Sequence, residues 1–399
     1  MKALQGIRVL DLTHMLSGPY GAMLLADMGA DTIKVEPPAS GEGTRKLLAK
    51  SEKFSLNGMG AYFLTLNRNK RSVCIDLKSE RGLELFYGLV KESDVVIDNF
   101  SAGVTGRLKI DYEHLSKVNP RIVTCSVTGF GAAGPDPLRP AFDQVIQGMG
   151  GGMSITGEAD GRPLRAGIPI GDLSGGMFAA MGVMSALLAR HTTGKGQHVD
   201  ISMLDCQISL LNYMATMYSL SGDNPKPLGN GHFVHVPYNT FDTATQPIII
   251  AVIFDSFWEN LADIVDVPEF KDEKYLTQPG RFEDRDFINA RLQQVLLKRS
   301  AEEWIALLKE KRIPVAPVNN FEQALNDPQV RYRNMVVDLE HPDGGSTEVP
   351  GNPVKLSDTY EDSFSPPPLL GQHTSQVLGE LLNLSEEQLD ELRAHAVIR

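Results

Sequence analysis

The chain has 399 residues, of which 42% are hydrophobic and 22% charged, and its formal net charge is -12. These values describe a folded soluble protein with core enough for two or three domains. They exclude nucleic acid or an anionic membrane as the main partner, because both require a basic surface. Three cysteines, Cys74, Cys125 and Cys206, lie too far apart for a zinc knuckle or a disulfide framework. No metal is therefore expected, and a reducing compartment fits. Met1 to Gly6 runs into structured-looking sequence without an apolar stretch or cleavage site, so a cytoplasmic location is expected.

Ile7 to Leu12 reads as a strand, Ser17 to Ala26 as a helix with Pro19 in its first turn, and Thr32 to Glu36 as a second strand. This is a compact βαβ unit, and its first loop carries no GxGxxG, which argues against a dinucleotide cofactor. Alternation continues with strands at Ser72 to Leu77, Asp94 to Asp98 and Arg121 to Val127, and a helix from Ser79 to Val90. The fold class is α/β. Strand ends such as Asn99-Phe100 and the loop Thr128 to Gly131 are either plain turns or ligand contacts at the carboxyl edge of a sheet. The basic residues Arg45, Arg68, Lys70, Arg71, Arg107 and Lys109 read either as a solvated charge run or as phosphate ligands.

The stretch Gly167 to Gly176 is the most suggestive in the chain. It reads as a short β-prone run ending at Asp172, then Gly175-Gly176, then a helix from Met177 to Leu188. Asp172 fits two roles. It is either the N-cap of that helix or a carboxylate nucleophile beside free backbone N–H groups that stabilise an oxyanion. A strand at His198 to Ser202 follows, and Cys206 to Gly222 reads as one buried or interface helix.

Gly222, Pro225 and Pro227 mark a boundary, which divides the chain into 1–222, a smaller α/β domain at 223–330, and 331–399 returning to the large domain. Within the small domain, Thr240 to Val252 reads as a hairpin. Helices are expected at Ser256 to Val265, Phe287 to Leu297 and Ala301 to Lys309, the last introduced by a Ser300/Glu303 capping box. Pro314 to Val318 is strand-like and Asn320 to Asn326 helical. Val336 to Leu356 is β-rich, and helices close the chain at Thr374 to Leu382 and Ser385 to His395. His232 and His235, near the Gly229-Asn230-Gly231 turn, are each either structural or polar ligands.

Several stretches together resemble the family III CoA-transferases, the group that includes formyl-CoA transferase and the carnitine CoA-transferase. They are Leu4 to Thr13, Ser17-Gly18-Pro19, Gly29 to Glu36, Asn67 to Ser72, Asp94 to Phe100, Gly171-Asp172, Gly194 to Asp200 and Leu369 to Thr374. The resemblance implies a Rossmann-like large domain, a smaller inserted α/β domain and an interlocked homodimer. It implies no permanently bound cofactor, a CoA thioester as substrate, and Asp172 as the residue that takes the acyl group and then CoA. By the same resemblance His14, Leu16, Ser17, Arg71, Asn99, Phe100, Arg107 and Lys109 face CoA. Gly229, Asn230 and Gly231 form a mobile lid.

The glutamine of formyl-CoA transferase falls at Leu16, which points away from oxalate and formate. His232, His235 and Tyr238 are polar groups placed to hold the far carboxylate of a dicarboxylic acid such as succinate, mesaconate or itaconate. The donor expected is succinyl-CoA or a similar short acyl-CoA. The α-methylacyl-CoA racemases of the same superfamily are the alternative. Their proton-carrying histidine falls at Phe142, and a phenyl ring carries no proton. A non-enzymatic acyl-CoA binder is the third reading, and the intact Gly171-Asp172 pair argues against it.

Overall fold

The computed structural model describes residues 2–360 and 363–399. Six strands form one sheet: β1 (Arg8–Asp11), β2 (Asp31–Glu36), β3 (Lys70–Cys74), β4 (Val95–Asp98), β5 (Val123–Thr128) and β6 (His198–Ser202). All neighbouring pairs are parallel, in the order β3-β2-β1-β4-β5-β6. The order reverses between β1 and β4, and the strand ends diverge there.

Helices cover both faces, as a parallel sheet requires. On one face α1 (Ser17–Asp27) and α4 (Ile170–Thr193) pack over Val9, Val95, Ile97 and Val123. On the other, α2 (Glu80–Lys91) and the helices Thr374–Leu382 and Glu386–Ala394 pack over Leu10, Ile33, Val73 and Val96. The alternation of Val9 with Leu10, and of Val95 and Ile97 with Val96, is the period of two that sends successive side chains to opposite faces.

Between β5 and α4 lies α3 (Asp143–Met149). After β6 come α5 (Met203–Leu211) and α6 (Tyr213–Ser221), where one helix was expected over Cys206 to Gly222. The break is at Asn212, whose φ of 47° leaves the right-handed helical region. Within the described chain this pair is largely exposed, with no buried residue on α6 and Leu220 83% exposed.

The glycines at positions 175 and 176 do not separate a strand from a helix. α4 begins at Ile170, and both glycines lie inside it. They serve close packing instead. A Cβ on Gly176 would sit 2.6 Å from the Ser17 carbonyl oxygen, and one on Gly21 would sit 2.8 Å from the Gly176 carbonyl. Gly176→Ala is therefore expected to lose about 1–3 kcal/mol by overpacking, despite the ~1 kcal/mol that alanine gains in helix propensity. A urea midpoint unchanged from wild type would contradict this close approach. By length and composition α4 would also suit a membrane span. Here Ala179, Ala180, Val183, Ala186 and Leu187 are buried in the protein core.

The described chain divides into two compact units. The larger takes in residues up to Gly152, Arg165–Gly222 and the chain from Pro328 on. The smaller takes in Met153–Leu164 and Asp223–Asp327, so a segment placed with the large domain by the sequence joins the small one. Gly229 N–H donates to the Gly157 carbonyl at 2.9 Å and ties that segment in. The small unit has an antiparallel sheet of Tyr238–Phe241, Ile248–Ala251 and Val315–Pro317, with Trp258, Phe270, Leu292 and Trp304 buried in its core.

Candidate active site

Where β1 and β4 diverge, the loops after β1, β4 and β5 enclose a cavity of about 740 Å³. Open α/β sheets place ligands at this point, outside the carboxyl ends of the strands. Of the residues singled out by sequence, His14, Leu16, Ser17, Asn99, Phe100, Phe142 and Asp172 line it together.

Asp172 stands in the first turn of α4, behind Pro169 as N-cap. It is not the cap itself. The cap is supplied by Asp143, which leads α3: its Oδ1 accepts from Gly171 N at 2.8 Å and from Asp172 N at 3.3 Å. The expectation of free N–H groups poised for an oxyanion is thereby corrected, because Asp143 already holds them. Glycine at 171 is what lets the carboxylate approach, since a Cβ there would lie 2.9 Å from Asp143 Oδ1. The other oxygen, Oδ2, accepts from Gln147 Nε2 at 2.7 Å. Gln147 is buried, and its Oε1 accepts from Ala166 N at 2.9 Å. Asp143 thus locks the approach segment 165–169, α3 and the start of α4 into one frame.

Burial, and then the charge of Asp143, push the Asp172 pKa up from 3.8 to about 7. A carboxylate in this state is poorly solvated and correspondingly reactive once ionised. Asp143→Asn removes the charge and keeps an acceptor for the cap, so the Asp172 pKa falls. The acid limb of the pH–rate profile is expected to move below that of wild type. An unmoved limb would mean that Asp143 does not act on Asp172.

Asn99 clamps the two loops at the strand divergence. Its Oδ1 accepts from His14 N at 2.9 Å and its Nδ2 donates to the His14 carbonyl at 2.7 Å. The His14 ring then lies 5.3 Å from the Phe100 ring, and burial followed by the Lys34 charge lowers its pKa below 6.5. The cavity therefore presents a neutral imidazole near pH 7. Beneath these loops Asp11 is fully buried and accepts from Lys70 Nζ at 2.9 Å, with Lys34 Nζ at 3.8 Å.

Arg45 and the Arg68 to Arg71 run are neither a solvated surface nor part of this cavity. Arg68 is held by Asp27, Lys70 by Asp11, Arg45 by Glu36, and Arg71 by Asp31 and Glu380. Lining the cavity falls to none of Arg71, Arg107 and Lys109, of which the latter two are exposed. The cavity's cations are Arg139 and Arg165.

A model of CoA-transferase family III matches residues 4–374 of the chain. The protein belongs to this family. It is 36% identical to mouse succinyl-CoA:glutarate CoA-transferase over 403 residues, which cover 100% of this chain and 91% of that protein. It is 38% identical to acetyl-CoA:oxalate CoA-transferase of Acetobacter aceti, covering 91% of each. A solved CAIB/BAIF family protein from Brucella suis superposes with a TM-score of 0.85 at 36% identity, covering 95% of this chain and 99% of that one. The protein is thus a CoA-transferase with a mixed α/β fold built on a large parallel sheet.

The remaining residues expected to serve this CoA-transferase, Gly229, Asn230, Gly231, His232, His235 and Tyr238, belong to the smaller unit. The three side chains do cluster. The His232 ring lies 4.7 Å from His235 and 5.0 Å from Tyr238, and its Nδ1 accepts from Val234 N and His235 N. Burial, and then His235, lower the His232 pKa. His235 Nδ1 is buried without a partner.

Sequence reasoning missed Arg165 and Gln147, and it reads Asp143, beside Phe142, as either a helix cap or a group that orients the substrate. One signal was available for Asp143 and Gln147: they stand four apart at the start of a helix, on one face.

Proposed function

We propose that this CoA-transferase moves CoA from a short acyl-CoA, succinyl-CoA or one like it, to a free dicarboxylic acid, with Asp172 as the group carrier. The observation that carries the reading is a half-buried carboxylate in a strand-end cavity, its ionisation opposed by burial and by Asp143 and its backbone held in place through Asp143 and Gln147.

In this mechanism the Asp172 carboxylate attacks the thioester carbonyl, the C–S bond breaks, and CoA leaves as thiolate with an aspartyl–acyl anhydride behind it. The thiolate attacks the Asp172 carbonyl, releasing the donor acid as its carboxylate and forming an aspartyl-CoA thioester. An acceptor carboxylate attacks that thioester, and the released thiolate then takes the acceptor's acyl group, restoring Asp172. Every step exchanges one activated acyl bond for another, so no ATP is needed. Loss of solvation at the carboxylate favours attack. His14, Leu16, Ser17, Asn99 and Phe100 line the CoA side, and Arg71, Arg107 and Lys109 serve its phosphates in this reading.

A glutarate and an oxalate CoA-transferase stand among the relatives. The apolar Leu16 in the cavity favours the longer acid. Phe142 also lines the cavity without a titratable atom, so the racemase alternative is not adopted. The Rossmann-like description follows the strand order, the small unit is read as an insertion carrying the glycine lid, and the location as cytoplasmic, in keeping with three free buried thiols. The interlocked homodimer is supported by exposed apolar residues on α4, α5 and α6, among them Met181, Leu188, Tyr213 and Leu220.

The test gives purified protein succinyl-CoA and a panel of free acids and reads new thioesters by mass. New thioesters without ATP establish the transfer and name the acids. Their absence, with loss of an α-proton from a branched acyl-CoA in deuterated water, would replace the reading with racemisation.

A further inference from the structure

A free acid enters the cavity while Asp172 carries CoA as its thioester, and it meets the carboxylate of Asp143, so a second negative charge on it needs a cation. His14 is neutral there. The candidates are Arg139 and Arg165, and they differ in how they are held. Both are exposed, but the Arg139 guanidinium stacks over the Phe130 ring at 5.4 Å, whereas Arg165 is directed by the backbone that follows it. Arg165 Nη1 donates to the Ala166 carbonyl at 2.9 Å and to the Gly167 carbonyl at 3.2 Å.

This leaves the Nε and Nη2 edge of Arg165 uncommitted, and among the described residues it enters no ion pair. Arg45, Arg68 and Arg71 use that same edge to hold Glu36, Asp27 and Asp31 in two-point contacts of 2.6 to 3.1 Å. The edge is the one that matches a carboxylate. The position is fixed as well, because Ala166 N, Gln147, Asp143 and Asp172 N form one hydrogen-bonded frame.

We propose that Arg165 is the specificity-determining residue for the acid, holding the remote carboxylate of a dicarboxylate while the near one reacts at Asp172. The inference rests on the CoA-transfer reading above. Arg165 replaces His232 and His235 as the holder of the far carboxylate, since it lines the cavity that contains Asp172 and its planar guanidinium matches a carboxylate at two points.

The experiment compares wild type with Arg165→Gln, Arg165→Lys, Arg139→Gln and the double variant His232→Gln/His235→Gln. Glutarate and butyrate serve as acceptors from a single donor. In Arg165→Gln, kcat/KM for glutarate is expected to fall tenfold or more relative to butyrate, mostly through KM. Binding of free CoA by calorimetry should be unchanged, and Arg165→Lys should recover part of the preference. A wild-type enzyme without preference for glutarate overturns the proposal. So does an unaltered preference in Arg165→Gln, a loss confined to CoA binding, or the loss appearing in Arg139→Gln or the histidine variant instead. Failure of the wild type to pass CoA to any acid would instead overturn the functional reading itself.

Discussion

Replacing Asp172 with alanine is expected to reduce CoA transfer by at least about 10³-fold, because in the proposed mechanism Asp172 carries both covalent intermediates. Asn in its place keeps the shape but not the nucleophile and should be nearly as inactive. Retained transfer in Asp172→Asn, with conversion back to aspartate excluded by mass, would defeat the mechanism. In the proposed mechanism the attacking form is the carboxylate, so the rate should rise with pH through about 7, to which burial and Asp143 push the Asp172 pKa.

The same displacement has a stability consequence of definite sign. The folded-state pKa is raised, so the folded chain binds this proton more tightly than the unfolded chain does. Stability linked to Asp172 is complete below the unfolded value and is lost as pH rises towards 7. Asp172→Asn should therefore melt higher than wild type at pH 8, by the equivalent of between about 1 and 4 kcal/mol. A lower melting point would show that the ionised carboxylate is well accommodated.

The second large effect is expected at Asp11. It is fully buried between Lys70 and Lys34, and also accepts from Thr13 N at 2.9 Å. Burial opposes its ionisation, but the two lysines prevail and hold its pKa below 3.8. Burial, partly offset by Asp11, brings Lys70 down to about 8. Asp11→Ala strands two buried ammonium groups and is expected to cost about 3–5 kcal/mol at pH 7.

The group's sign follows from its depressed pKa: the contribution of Asp11 is present above about pH 4 and disappears as pH falls through the folded value. In Asp11→Ala, Lys70 can shed its proton more easily in alkali, so the deficit should narrow between pH 7 and pH 9. Urea midpoints at the two pH values measure it. Equal deficits would place the cost in packing and not in charge.

The sheet was legible because its strands alternate in a way that only two buried faces explain. The site was legible in part. Asp172 and Asn99 announced themselves as polar residues beside glycines and at a strand end, whereas His14 came only through the family resemblance. The start of α4 did not, because its glycines at 175 and 176 look like a turn until Ser17 and Gly21 are placed against them. The Arg68 to Arg71 run misled for a similar reason: its carboxylates Asp27, Asp11 and Asp31 come from another part of the chain, 40 or more residues away. Arg165 carries no local pattern at all. Its significance arises from Gln147 and Asp143, which are joined to it only by folding.

The last stretch of the chain supplies Val377, Leu378, Leu389, Leu392, Val397 and Ile398 to the core that covers one face of the sheet, and Ile398 bridges directly to Ile75. That places a requirement on synthesis. A ribosome delivers β1 to β6 about 170 residues before the two helices that join α2 on this face, so the nascent sheet waits with part of that face open until Thr374 to Ile398 have been made. Removing the residues from Thr374 on should therefore leave a chain that exposes this apolar face and is captured by chaperones.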